Sequence, residues 1–377
     1  PDGGTIVLYE WDWNNDGIYD ESTTSPTINH TWTDDFSGTV GLRVTDDDGL
    51  TDTDTASVTV NNVAPTVNAG PDQTANEGSL VSFSGSFTDP GAGDTHTYFW
   101  DFGDGSNASG TLTPTHVYGD NGVYIVTLNV TDDDGGFGVD TLTVTVNNVA
   151  PTVNAGPDQS VNEGDTVSFS GSFTDPGAND THTIFWDFGD GSNASGTLTP
   201  THVYADDGVY IVTLNVTDDD GGFGVDTLTV TVYNVAPTVD AGPDETADEG
   251  SLASFSGSFT DLGANDTHTI FWDFGDSTNA TGTLTPTHAY GDNGNYTVTL
   301  TVTDDDGGFG VDALTVTVYN VAPTVYAGPD RVVRANQTVN FSGSFTDPGW
   351  LDTHTIFWDF GDDDNATGTL TPTHAYT

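Results

Sequence analysis

The sequence predicts an all-β protein, a tandem array of small β-sandwiches made from one repeated unit. Three observations carry this. The phrase Ala-Pro-Thr-Val begins at Ala64, Ala150, Ala236 and Ala322, at a constant step of 86 residues. The phrase Trp-Asp-Phe-Gly-Asp begins at Trp100, Trp186, Trp272 and Trp358, at the same step. Within one step, short runs alternate apolar and small polar residues, Asp-, Asn-, Gly- and Pro-rich clusters separate them, and no segment holds a helical period.

A fixed period is the signature of a repeat architecture. It defines whole units at 64–149, 150–235 and 236–321, a partial unit at 322–377 and a divergent partial unit at 1–63. The partial ends lead to the expectation that the sequence is a window on a longer polypeptide. In the unit 64–149 the alternation predicts strands over 81–87, 98–102, 123–130 and 141–146. Turn clusters stand between them at Asp89-Pro90-Gly91, Gly103-Asp104-Gly105, Gly119-Asp120-Asn121-Gly122 and the run from Asp132 to Gly136. A unit of this length is near the smallest that builds a sandwich core without disulfides, and the chain has no cysteine.

Charge narrows the function classes. The chain carries 58 acidic residues against 3 basic ones, for a net charge of −55. Phosphate contacts need Lys and Arg, so a nucleic-acid partner is excluded. Self-repulsion at this density destabilises a compact state unless cations screen it. Only six of the acids are glutamates: Glu10, Glu21, Glu77, Glu163, Glu245 and Glu249. Aspartate suits turns and the oxygen-ligand loops that hold calcium. No apolar stretch approaches the roughly 18 residues of a membrane-spanning helix, and no signal peptide is visible at Pro1. No nucleophile elbow, phosphate loop or His-Glu-x-x-His motif is present, so catalysis is not expected.

The residues Trp100-Asp101-Phe102-Gly103-Asp104-Gly105, then Pro114-Thr115-His116-Val117-Tyr118, then the run from Gly122 to Thr131-Asp132-Asp133-Asp134-Gly135 resemble a PKD (polycystic kidney disease) domain. The pattern recurs in every unit, with departures at Trp13-Asn14-Asn15, Asp276-Ser277 and Asp362-Asp363. The resemblance implies a seven-stranded immunoglobulin-like sandwich found in extracellular and cell-surface proteins. In calcium-binding members it implies ligands from the linker before a domain, from the BC loop between the second and third strands, and from the FG loop between the sixth and seventh.

On this chain those positions are Asn62 of the linker, Asp89 and Asp94 of the BC loop, and Asp132, Asp133 and Asp134 of the FG loop. They recur as Asn148, Asp175, Asp180, Asp218, Asp219 and Asp220, and as Asn234, Asp261, Asp266, Asp304, Asp305 and Asp306. The opposite pole of the preceding unit, with CD and EF turns carrying Asp104, Asp120 and Asn121, is expected to face them. Two carboxylates at about 4 Å repel by about 1 kcal/mol in water and by several in drier surroundings, and a Ca²⁺ ion reverses that sign. A plain solvated acidic surface is the competing reading. A second candidate is Asp12-x-Asn14-x-Asp16-Gly17-x-x-Asp20, which has the front half of an EF-hand loop but Thr23 where its last ligand would stand.

The remaining candidates are weaker. The repeated tryptophan is expected in the core on the third strand. The histidines after Asp-Thr and after Pro-Thr recur with the repeat and are expected to serve as hydrogen-bonded turn residues, not zinc ligands. The sequons at Asn107, Asn193, Asn279 and Asn365 fall in phase in the CD turn and are candidate glycosylation sites. Trp350 stands where other units have Ala92, Ala178 or Ala264, and is a candidate contact with a glycan or another chain. The expected function is an extracellular, calcium-stiffened stalk, adhesin-like rod or fibre. Its expected partners are copies of itself, matrix components or a polysaccharide. The alternatives are a spacer or binding region of a secreted hydrolase, and a filament that exchanges strands between chains.

Overall fold

The computed structural model describes residues 4–377, and all its regular elements are β-strands. The chain divides into two compact units. The first holds residues up to Asn154 with Ser172–Phe185 and Leu214–Asp226; the second holds Ala155–Gly171, Trp186–Thr213 and Thr227–Thr377. The division runs through the repeat 150–235. The repeats 64–149 and 236–321 each lie inside one unit and display the fold whole.

In the first unit, β1 (Ile6–Asp12), β2 (Glu21–Thr23), β3 (Phe36–Asp46) and β4 (Thr51–Val60) form one sheet in the order β2-β1-β3-β4. The complete repeat follows with β5 (Thr66–Asn68), β6 (Gln73–Asn76), β7 (Leu80–Ser82), β8 (Ser86–Thr88), β9 (His96–Asp101), β10 (Asn107–Ser109), β11 (Thr115–Val117), β12 (Gly122–Asp132) and β13 (Phe137–Asn147). One face is the sheet β10-β9-β12-β13-β6. The other is made by β8 with β5 and by β7 with β11. The first strand position is split into β5 and β6, and the second into β7 and β8. The nine segments are thus the seven strands of an immunoglobulin-like sandwich. β6 runs parallel to β13, pairing Val144 with Gln73 and Asn147 with Asn76, while the other pairs are antiparallel.

Alternation decides which face goes inward. In β12, Val126, Leu128 and Val130 are fully buried, and in β13 Leu142, Val144 and Val146 meet them. Trp100 on β9 is fully buried among them, and its indole N–H donates to the carbonyl of Thr111 at 3.2 Å. Tyr118 caps the core with its hydroxyl on the carbonyl of Phe102 at 3.0 Å. A buried donor needs such a partner, so both rings are fixed in position as well as packed.

The strand expectations need revision. The run 81–87 is not continuous, because it breaks between β7 and β8. A Cβ on Gly85 would lie 2.5 Å from Leu128 and 2.8 Å from Trp100. The chain leaves the ladder there to make room for the indole. The two long strands run further than alternation alone indicated, to Gly122–Asp132 and Phe137–Asn147.

In the second unit the repeat 236–321 has the same sheet order, with Glu245–Asp248 beside Phe309–Tyr319, then Gly294–Thr303, Thr269–Asp273 and Asn279–Thr281. Trp272, Val298, Leu300 and Val302 are fully buried. Residues 322–377 form three two-stranded pairs and include no counterpart of β12 and β13, so Trp358 is only partly covered.

Candidate metal centre at the repeat junctions

Consecutive repeats are joined by one recurring backbone hydrogen bond. The N–H groups of Gly93, Asn179, Asn265 and Leu351 donate to the carbonyls of Thr33, Gly119, Ala205 and Gly291, at 2.6, 2.9, 3.1 and 3.0 Å. The donors lie in the BC loop of one repeat. The acceptors lie in the EF turn of the repeat before it.

The linker is held from both sides. Glu77, in the turn between β6 and β7, accepts the N–H of Val149 at 2.6 Å. Asn148, the residue before it, donates to Asp218 of the next repeat at 3.1 Å. Glu163 and Glu249 hold Val235 and Val321 in the same way at 2.6 Å, and Asn234 donates to Asp304 at 3.2 Å. Asn62 donates to Asp132 at 2.9 Å. Beside each glutamate a glycine in the left-handed region lies against the next repeat. A Cβ on Gly78 would sit 2.7 Å from Pro176, and one on Gly164 would sit 2.9 Å from Leu262.

These glutamates are the residues that sequence reasoning missed. Glu77 is 1 % exposed and Glu163 and Glu249 are 0 % exposed. In each, the second carboxylate oxygen is buried with no hydrogen-bond partner. The available signal was their rarity and phase: three of six glutamates recur at the 86-residue step, each before a glycine. Facing them, Asp180 and Asp266 each bury both carboxylate oxygens without a partner. Glu77, Asp120 and Asp180 bring one oxygen each within 4.8 Å of one another.

Of the expected ligands, Asp89, Asp94 and Asp132 form another such group, and Asp94 also joins Asp34 and Asp134. Asp133, Asp219 and Asp305 take another role. They accept the N–H groups of Thr95, Thr181 and Thr267 at 2.8–2.9 Å, which ties the FG loop to the BC loop. These hydrogen bonds hold their carboxyls below the usual range. Asp132, Asp218 and Asp304 are nearly buried and close the FG turn by accepting Gly136, Gly222 and Gly308 N–H at 2.7 Å. Of the turns expected to face the junction, Asp120 of the EF turn reaches it. Asp104 of the CD turn instead pairs with His116 at 2.6 Å and with Ser106 in its own repeat.

In the candidate loop of the first repeat, the acids face their own backbone. Asp12 accepts the N–H groups of Asp16 and Gly17, Asn14 accepts Asp16, Asp16 accepts Ile18, and Asp20 accepts Trp13. The histidines of the repeat 64–149 are hydrogen-bonded as expected, but they lie on strands and not in turns. His96 opens β9 and His116 is the middle residue of β11, because each side chain packs within its own sandwich on a neighbouring aromatic ring. His96 pairs with Asp89 at 2.9 Å, and His116 stacks flat on Phe102 at 4.3 Å. Asn107, Asn193, Asn279 and Asn365 lie not in the CD turn, as expected, but at the start of the short exposed strand that follows it, because the turn closes earlier and Asn107 already pairs with Asp101. Trp350 is 59 % exposed, yet its ring lies over Gly291 of the preceding repeat.

The electrostatics of the junction are unfavourable without a cation. Burial pushes Asp180 and Asp266 up to about 6, and neighbouring carboxylates add to it, Glu77 first for Asp180 and Asp261 first for Asp266. Burial, partly offset by the linker N–H, also pushes Glu77 and Glu163 up. A carboxyl raised on folding binds its proton more tightly when folded, so its ionisation opposes folding. In chelator, stability is therefore expected to fall as pH rises from about 4 through about 6, by on the order of 1–3 kcal/mol per junction. Urea unfolding across that window measures it. Asp180→Asn and Asp266→Asn should flatten the slope, and an unaltered slope in both would count against this origin.

The PKD domain family matches residues 62–146, 148–232, 234–318 and 320–377. The chain is 31 % identical over 261 residues to the human dyslexia-associated protein KIAA0319, covering 61 % of this chain and 23 % of that protein. It is 40 % identical over 88 residues to a microbial collagenase of Vibrio alginolyticus, covering 23 % of this chain and 11 % of the enzyme. The chain thus spans less than a quarter of the length of either relative. Among solved structures it is similar to the PKD1 domain of Vibrio anguillarum Epp (TM-score 0.20, 32 % identity, 23 % of this chain and 96 % of that one). It is also similar to a tetra-tandem repeat from the extending region of a large adhesion protein (TM-score 0.42, 19 % identity, 84 % of this chain and 92 % of that one). No helix among the described residues is long and apolar enough to cross a membrane. The motifs read from the sequence, the immunoglobulin-like sandwich and the four matched segments agree, and the chain belongs to the PKD-domain family as a tandem array of its repeats.

Proposed function

We propose that the chain is a non-catalytic structural segment of an extracellular or cell-surface protein, which sets the distance and angle between what lies before it and after it. Calcium bound at the junction carboxylates stiffens it. The observation that supports this most directly is the in-phase junction, with the same backbone hydrogen bond at four successive positions and the same glutamate holding the linker at three. A binding surface needs only one good copy, whereas a spacer needs every joint to be alike. The candidate ligands are carboxylates from separate loops and turns, hard oxygens that suit calcium's flexible coordination better than magnesium's strict octahedron.

Small-angle scattering of the full chain in calcium and in chelator tests the reading. Calcium should narrow the distribution of interatomic distances and extend its limit. Identical curves, with no calcium retained after dialysis, would overturn it. The joints themselves can be loosened by sterics. Gly250 holds φ +74°, and a Cβ there would lie 2.5 Å from the carbonyl oxygen of Pro348. Gly250→Val is expected to cost about 1–3 kcal/mol at that joint, from left-handed strain and overpacking. Increased hydrogen exchange of the Leu351 amide would report it.

The likeness to a collagenase over one repeat favours a second reading, a spacer or substrate-binding region attached to a secreted hydrolase. Retention on collagen, chitin or cellulose distinguishes it from a pure spacer.

A further inference from the structure

We propose that each of Glu77, Glu163 and Glu249 is a bridging cation ligand, so that one junction ion is bound jointly by two repeats and completed only when they dock. This rests on the reading that the junction carboxylates hold calcium, and it assigns ligands to the far side of the joint. Glu77 keeps one buried oxygen unpartnered while the other accepts the N–H of Val149. Across the joint Asp180 keeps two buried oxygens unpartnered, and Asp120 from the EF turn brings a third carboxylate within the same 4.8 Å. Asn148, adjacent to Val149 in the linker, leaves its Oδ1 buried and unpartnered as well. Buried acceptors in such numbers call for a bound partner, and three carboxylates in one pocket call for a cation.

The arrangement recurs in the second unit. Glu163 and Asp266 both keep buried unpartnered oxygens, and so does Asn234. At the next joint a Cβ on Gly349 would meet the Glu249 carboxyl at 2.8 Å, which places that group in the BC loop of the following repeat. The glutamate therefore has two functions at once. One oxygen fixes the linker and the other is left for the ion, so linker geometry and cation binding are coupled through one side chain. The joint between the first two repeats lacks this glutamate and gathers Asp34, Asp94 and Asp134 instead, which provides an internal control.

The test is calcium titration calorimetry of the full chain against the triple variant E77Q/E163Q/E249Q. Glutamine keeps the acceptor for the linker N–H and removes the charge. Calcium affinity at three sites should weaken by roughly tenfold or more, while the first joint binds as before. Circular dichroism and the melting temperature in chelator establish that the variant folds. If it does not, the surface set D120N/D206N/D292N probes the same ion from the EF side and should weaken the same three sites. Wild-type affinity in a folded triple variant would overturn the bridging role while leaving calcium binding in place. An absence of calcium binding by the unaltered chain would overturn both. If the glutamate were only a linker clamp, the triple variant would be more stable in chelator and unchanged in calcium response.

Discussion

Removing divalent cations near neutral pH should lower the melting temperature of the full chain by about 10–20 °C. The size follows from linkage. A ligand present at about a hundred times its dissociation constant adds about 2.7 kcal/mol per site, and for a domain of this size about 1 kcal/mol moves the melting temperature by roughly 4–8 °C. Calcium should restore the value, magnesium only in part. The physical cause is local. Asp180 buries two carboxylate oxygens without a donor and sits beside Glu77 and Asp120, so ionisation at neutral pH leaves repulsion that a bound cation would offset. Differential scanning calorimetry in chelator, calcium and magnesium decides it. Equal melting in all three, with no bound metal by elemental analysis, would sink the cation and leave a solvated acidic face.

The second large effect is expected from Trp272→Ala. The indole is fully buried, packs against Phe255 at 5.5 Å and donates to Thr283 at 3.1 Å. Losing it leaves a cavity and an unpaired carbonyl, at a cost of about 3–5 kcal/mol. A repeat of this length has about 4–13 kcal/mol of stability in all, so the repeat 236–321 should open well before its neighbours. Hydrogen exchange on the strand Gly294–Thr303 reads this directly, and unchanged protection there would contradict a core role. Trp350→Ala is the contrast. That ring is 59 % exposed, and its removal should shift stability by less than about 1 kcal/mol.

Much of the fold was legible because its causes are local and periodic. Alternation in 123–130 marked a strand because every second side chain points to one face, and Val126, Leu128 and Val130 do lie inward. Trp100 could be placed in the core from its position before Asp-Phe-Gly. The break at Gly85 was not legible, since it depends on Trp100 and Leu128 arriving from other strands.

The sequence by itself determined the repeat, its phase, the strand faces, the core tryptophan and the aspartates of the BC and FG loops. Only the tertiary structure decided which acids share a junction. It directed Asp104 to His116, Asp133 to Thr95 and the acids of 12–20 to their own backbone. It also buried three glutamates whose partners lie 72 residues along the chain. The reason is that a carboxylate looks the same in sequence whether water, a backbone N–H or an ion will satisfy it. That choice is set by burial and by neighbours from another repeat, which exist only once the chain has folded.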